Sequence, residues 1–478
     1  MCSSGKRPGV TEDDRRLNRR AYLRALGATG AAGALAGCGG LDADPDGTAT
    51  ETTGRTPTGG EPAEAPAREN ATTEATDRFE TVVNVADEGA DTAGEERVDD
   101  LLAELAADDT MLYFPAGRYR LGKWNLSGHR NIGVVGDDAT FVPPAGKQDY
   151  WLAWGQLEDL LFEGFALDCT ADGVAPVNHI SVTGGQSAVR DVALRGHRRV
   201  PRSGFEIAAA DPDAELLFED VRLPDGSTAG NAIYTFPKSV GRLRIRNCRV
   251  EDWAEGLYAS PHSGPLEIVG GHYANNGIDQ VRVGGGPSGA TVRDVTVRVD
   301  DPEHADSKPN MRGIWMEEGG RVRIENCDIA ITDLTGTYSS GAIVVGQQFG
   351  AATIADTTIR TDADAPAISV RNPIDSIEGQ TMPSMDRLPE DWRVECRNVT
   401  VTGSVGSGTA IRAVDRDDCV FENICVSHPE GSRDGVLVES AEGCAVRNAT
   451  IAVGGDAVVG EDATVETTAV RTDGSCGD

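Results

Sequence analysis

Between residues 160 and 451 a short pattern recurs: apolar, any, apolar, any, turn residue, apolar, any, apolar. It reads LLFEGFAL (160–167), LLFEDVRL (216–223), LRIRNCRV (243–250), ATVRDVTV (290–297), VRIENCDI (322–329), ATIADTTI (352–359), CVFENICV (419–426) and CAVRNATI (444–451). Looser copies are SAVRDVAL (187–194), LEIVGGHY (266–273) and VECRNVTV (394–401). The turn residues are Gly164, Asp191, Asp220, Asn247, Gly270, Asp294, Asn326, Asp356, Asn398, Asn423 and Asn448. Counted from the turn residue, apolar side chains fall at −4, −2, +1 and +3. A straight strand alternates with period two, so this change of parity demands a bend at the turn residue with both arms facing inward. Asn, Asp and Gly are the residues that tolerate the left-handed backbone such a corner needs.

A third strand precedes each corner: HISV, GFEIA, AIYTF, GLYAS, QVRV, GIWME, AISV, AIRAV and GVLVE. Three strands and three turns in about 25 residues make one turn of a parallel β-helix, and variable spacing belongs to loops grown from the turns. About twelve turns at the ~4.8 Å strand separation give a rod on the order of 55 Å long. A leucine-rich array would show helices and regular Leu positions, and a propeller four antiparallel strands per blade; neither pattern is present.

Before the array stand Phe79 to Ala90, a short helical pattern (Val98, Leu101, Leu102, Leu105) and Met111-Leu112-Tyr113-Phe114-Pro115-Ala116-Gly117-Arg118-Tyr119. This run resembles the opening segment of the pectate-lyase-like superfamily. The resemblance implies one right-handed parallel β-helix from about Asn84 to Val470, in an all-β domain spanning 79–478. A helix over Val98 to Ala107 would cover the exposed edge of its first turn.

The first forty residues read as an address. Arg19-Arg20 before Tyr22-Leu23, then a weakly apolar run to Gly37, is the order of an export signal and too short for a membrane span. The segment resembles a twin-arginine signal, and Leu35-Ala36-Gly37-Cys38 resembles a lipobox. That resemblance implies lipid on Cys38 and a place on the extracellular face of the cell membrane. Residues 39–78, rich in Thr, Glu, Pro, Ala and Gly, read as a disordered tether. Changing Cys38 to Ser is expected to release the protein into the medium; retention in the membrane fraction would refute the lipid anchor.

Composition changes the picture in two ways. The 478 residues carry 77 Asp or Glu against 44 Lys or Arg, a net charge of −33. Such a surface repels phosphate backbones and excludes nucleic acid as a partner. Mean hydropathy of −0.32 excludes a multi-span membrane protein. Only 5 of the 44 cations are Lys, and an acid excess almost without Lys points to adaptation to molar salt. Outward carboxylates on stacked turns lie about 5 Å apart, and each such like-charge neighbour costs a few tenths of a kcal/mol. At 1 M salt the screening length falls to about 3 Å, below that spacing. The melting temperature is therefore expected to climb steeply between about 0.1 M and about 2 M salt, and acidification towards the pI should partly replace salt. A flat response would refute halophily.

Of the ten cysteines, Cys248, Cys327 and Cys396 fall on inward positions and read as small buried hydrophobes. Cys419 and Cys444 occupy the same position on consecutive turns, where stacking brings their Cα atoms within disulfide range. No spacing suggests zinc.

Candidate chemistry lies on the outward positions of the third strand: Glu206, Tyr234, Tyr258, Arg282, Trp315, Glu317 and Arg412, with Arg312 beside Trp315. The superfamily resemblance implies an elongated polysaccharide or cell-surface glycan bound along one sheet face. Aromatic rings there would stack on sugars, and arginines would grip uronate or sulfate groups. Asp300 to Met311, with Asp301, Glu303, His304 and Asp306, would wall one side. Hydrolysis needs two carboxylates, for which Asp279 and Glu317 are the best pair. Lyase chemistry needs a neutraliser and a base, for which Asp279, Arg282 and Arg312 would serve, with calcium as the candidate cation. Asn275-Asn276-Gly277-Ile278-Asp279 resembles a polygalacturonase segment, but the motifs completing that site are missing. A monomeric, non-catalytic glycan-binding or spacing rod explains the tether and repeats equally.

Overall fold

The computed structural model describes residues 78–301, 310–334 and 337–476. The Arg19-Arg20 segment, Cys38, tether residues 39–77, Glu303, His304 and Asp306 lie outside the described residues. Strand makes up 53% of the chain and helix 3%, and the strands form a parallel β-helix of about 13 turns. Every strand pairing is parallel, and each strand pairs with its counterpart about one turn earlier and later. Three stacked sheets result: one before the corner, one after it, and a third that closes the turn. The first strand is Thr81–Asn84 and the last Val465–Thr468. The expected helix covers Asp99–Leu105 and buries Leu102 in the main core.

All eleven corner residues read from the sequence have positive φ, from 49° at Asp191 and Asn247 to 82° at Gly164. The turn around Asn247 shows why the parity changes. Leu243 and Ile245 before the corner, and Cys248 and Val250 after it, are all fully buried. Fully burying such a side chain contributes about 1.5–3 kcal/mol. Corner side chains also bond along the stack: Asn326 Nδ2 donates to Asp294 Oδ1 at 2.7 Å, and Asn398 Nδ2 to Asp356 Oδ1 at 2.9 Å. At Gly164 glycine is required, because a Cβ there would stand 2.1 Å from the Gly136 carbonyl oxygen.

The cysteines divide differently from expectation at one point. Cys248, Cys327 and Cys396 are buried and free, as their inward positions imply. Cys419 and Cys444, however, are also free, and both thiols point at the Arg416 carbonyl, at 3.3 and 3.5 Å. Stacked parallel strands keep successive Cβ atoms at the full strand spacing, whereas a disulfide needs them near 3.8 Å. The disulfide joins Cys425 to Cys476, with Cα atoms 5.6 Å apart. It fastens the C-terminal end of the chain to the sheet after the corner.

One turn of the array is hidden in the sequence. The strand Ile343–Ala355 contributes a third-sheet segment in which Ile343, Val344 and Val345 are all fully buried. With both faces covered it shows no alternation, so no third strand stands out there in the sequence.

Candidate active site

The third sheet stacks its outward positions on one line. His179 pairs with Glu206, Glu206 with Tyr234, Tyr234 with Tyr258, Tyr258 with Arg282, and Arg282 with Trp315. The same line continues through Val344 and Ser369 to Arg412. Glu206, Tyr234, Tyr258, Arg282 and Trp315 therefore stand on consecutive turns. Arg412 does not join them: two further turns separate it, and Glu439 holds it through two hydrogen bonds of 2.9 and 2.8 Å.

A second line lies three residues upstream, at the edge where each third strand begins. Here Asn231 pairs with Glu255, and Asp279 with Arg312. Gly256 lets the next turn approach, since a Cβ there would stand 2.4 Å from the Gln280 carbonyl oxygen. Asn276 and Gln280 clasp each other, and Asn276 Oδ1 accepts the Trp253 N–H at 3.0 Å. This buried amide pair fixes the backbone leading into Asp279, which gives the Asn-Asn-Gly-Ile-Asp run a structural task.

Arg282 is the hub of the site. Its Nη1 donates to Glu255 Oε1 at 2.7 Å, its Nε to Glu317 Oε2 at 2.9 Å, and its Nη2 to Glu317 Oε1. Its guanidinium lies over the Tyr258 ring, 3.9 Å from the centroid. The Ser260 hydroxyl also donates to Glu317. Burial lowers the basicity of Arg282, but Glu255, Glu317, Tyr258 and Asp279 outweigh it and hold the guanidinium well above its usual pKa. Glu255 is 5% exposed, and burial pushes its carboxyl up to about 7, against the opposing pull of Arg282.

Two expected roles are corrected by the packing. Asp279 is completely buried and joined to Arg312 through both carboxylate oxygens, so it does not face a ligand as an acid or base would. Trp315 is only 8% exposed, with the guanidiniums of Arg312 and Arg371 over its ring at 4.4 and 4.9 Å. Those cations occupy the ring faces that a sugar would need. Tyr234 and Tyr258 form an edge-on pair with centroids 5.2 Å apart; both are half-buried, and Arg282 covers one face of Tyr258.

Sequence reasoning missed Glu255, because the period-two count from Tyr258 assigns it inward. Its signal was the Trp-Ala-Glu-Gly run inside the strand Trp253–Tyr258, where the pairing with the preceding turn shifts register. Glu318 was also missed. It is 1% exposed, burial raises its carboxyl to about 7, and Oε1 accepts the Ser384 N–H at 3.2 Å. At the other end of the line, the Tyr150 hydroxyl donates to Glu206 at 3.0 Å, and burial lowers the neighbouring His179 to about 4. Among the described residues no group of three or more His, Cys, Asp or Glu stands in metal-holding geometry.

No protein-family model matches the chain, and no curated protein matches it. Solved structures similar to it include the A-module of the Azotobacter vinelandii mannuronan C-5 epimerase AlgE6, 15% identical with a TM-score of 0.35, covering 83% of this chain and 99% of that one. The Agl-KA catalytic domain is 13% identical with a TM-score of 0.33, covering 82% and 66%. The Streptococcus pneumoniae surface protein and adhesin PfbA is 10% identical with a TM-score of 0.28, covering 82% and 98%. Likeness at this level assigns no activity to the chain.

Proposed function

We propose that the third-sheet face binds an elongated acidic polysaccharide and cleaves it by acid–base chemistry, on a protein tethered to the outer surface of the cell through Cys38. The observation that carries this reading is Arg282 bridging two carboxyl groups of unlike surroundings, Glu255 and Glu317, beside the Tyr234–Tyr258 pair. Glu255, with a pKa raised to about 7, retains a proton close to neutrality and is the general acid. Glu317, part-exposed and oriented by Arg282 and Ser260, is the carboxylate that meets the sugar as base or nucleophile. Tyr234, half-buried beside the Arg282-covered Tyr258, offers aromatic surface to a sugar ring.

A second reading, glycan binding without turnover, draws on the engagement of Arg282, whose Nε, Nη1 and Nη2 all donate to protein carboxylates. The two separate on products. The protein is incubated in molar salt with polyuronates, sulfated glucans and neutral glucans, with and without calcium. Unsaturated ends signal a lyase and new reducing ends without unsaturation a hydrolase. Binding without either product refutes the catalytic reading, and no binding to any acidic polymer refutes both.

A further inference from the structure

A groove of about 550 Å3 lies on a different sheet, the one before the corner. Its floor is a single line of outward residues on five consecutive turns: Glu267, Thr291, Arg323, Thr353 and Glu395. Five strands at the usual spacing span roughly 19 Å. The turn residues Ser288 and Gly289, with Ala351, keep the floor low, while Asp391 and Arg393 from the long loop before Val394 raise one wall.

The charge of the groove departs from that of the chain. Its lining holds four guanidiniums (Arg242, Arg321, Arg323, Arg393) against three carboxylates (Glu267, Asp391, Glu395) in a protein of net charge −33. The carboxylates at the two ends are already engaged: Glu267 by Arg242 and Arg244, and Glu395 by Arg393 and Arg397. Arg323 pairs only with Glu325 on its own strand, and Arg321 forms no ion pair among the described residues. Gly289 makes room for Arg321, since a Cβ at 289 would stand 2.8 Å from Arg321 Cγ.

We infer that this groove is a second glycan site, separate from the third-sheet face, which takes one anionic sugar unit at Arg321 and Arg323. The ligand class is a sulfated or uronic sugar within a chain. Its charged group receives guanidinium hydrogen bonds, and hydroxyls of the flanking units meet Thr291 and Thr353. Glu267 and Glu395, ion-paired at the two ends of the floor, leave Arg321 and Arg323 in its middle as the guanidiniums open to the anion. Contact hydrogen bonds of this kind persist in high salt, where longer-range attraction is screened.

The test uses the full chain in molar salt, titrated with dextran sulfate, polygalacturonate and neutral dextran. Arg321→Ala combined with Arg323→Ala should weaken binding of both charged polymers roughly tenfold, the equivalent of one charge-assisted hydrogen bond. It should leave neutral dextran and any turnover on the third sheet unchanged. Thr291→Glu, an outward change that places a carboxylate in the floor, should reproduce the loss. Charged-polymer affinity equal to wild type in both variants overturns the groove site. Inorganic sulfate that displaces the polymers at equal anion concentration overturns the glycan assignment and leaves a site for a free anion. Tyr258→Ala reports separately on the third sheet, so failure of one site is distinguishable from failure of the other.

Discussion

Replacing Glu255 by Gln should lower turnover by 10²–10⁴-fold while leaving polysaccharide binding within about twofold of wild type, because only the transferable proton is lost. The wild-type rate should fall as pH rises through about 7, where burial has placed the Glu255 carboxyl, and the residual rate of the variant should lack that limb. A stability measurement gives an independent reading. Glu255 and Glu318 both have folded-state pKa values raised to about 7 from 4.5, so the folded protein holds protons that the unfolded chain has released. Their contribution is fully present below the unfolded value and is lost as pH rises through the folded one. Wild-type stability should therefore decline between about pH 5 and pH 8, and Glu255→Gln should shrink that decline. A pH profile identical in wild type and variant would remove Glu255 from the mechanism.

Replacing Arg416 by Met should be the most destabilising single change outside the apolar core, costing about 4 kcal/mol. Arg416 is 1% exposed, and its guanidinium donates five hydrogen bonds, all to backbone carbonyls: Arg371, Gly350, Trp392, Gly346 and Phe349, at 2.8 to 3.1 Å. Methionine fills most of the volume but leaves those oxygens buried and unpaired. Two of the five belong to Arg371 and Trp392, the two ends of the longest insertion between corners. That insertion carries Arg371 onto Trp315 and the Ser384 N–H onto Glu318. Thermal unfolding should show the loss directly, with Arg416→Lys intermediate because ammonium offers three donors instead of five. Turnover measured well below the melting temperature should fall as well, since the loop lies against the site. Unchanged stability in Arg416→Met would show that water replaces the guanidinium without cost.

The repeat and its corners were legible because they follow from local physics. Parity of apolar residues around Asn247 or Asn326 is a property of a few adjacent residues, and left-handed φ is tolerated by few residue types. The line from Glu206 through Tyr234, Tyr258 and Arg282 to Trp315 was readable for the same reason, since period-two alternation within each strand fixes the outward position. What escaped were the places where strands begin irregularly or where distant segments meet. Glu255 lies where its strand shifts register against the preceding turn, and Val344 is covered on the face that should be open. Cys425 finds Cys476 across 51 residues, outside any repeat.

The sequence by itself determined the parallel β-helix, its corners and the face on which polar and aromatic side chains gather. Only the tertiary structure decided which of them work together. It buried Asp279 against Arg312, covered Trp315 with Arg312 and Arg371, and joined Glu255 to Glu317 through Arg282. The division has a physical cause. Backbone geometry and inward-outward parity are set by neighbours in the chain. Ion pairing, desolvation and the pKa values that follow depend on which turns are stacked and which loops fold over them.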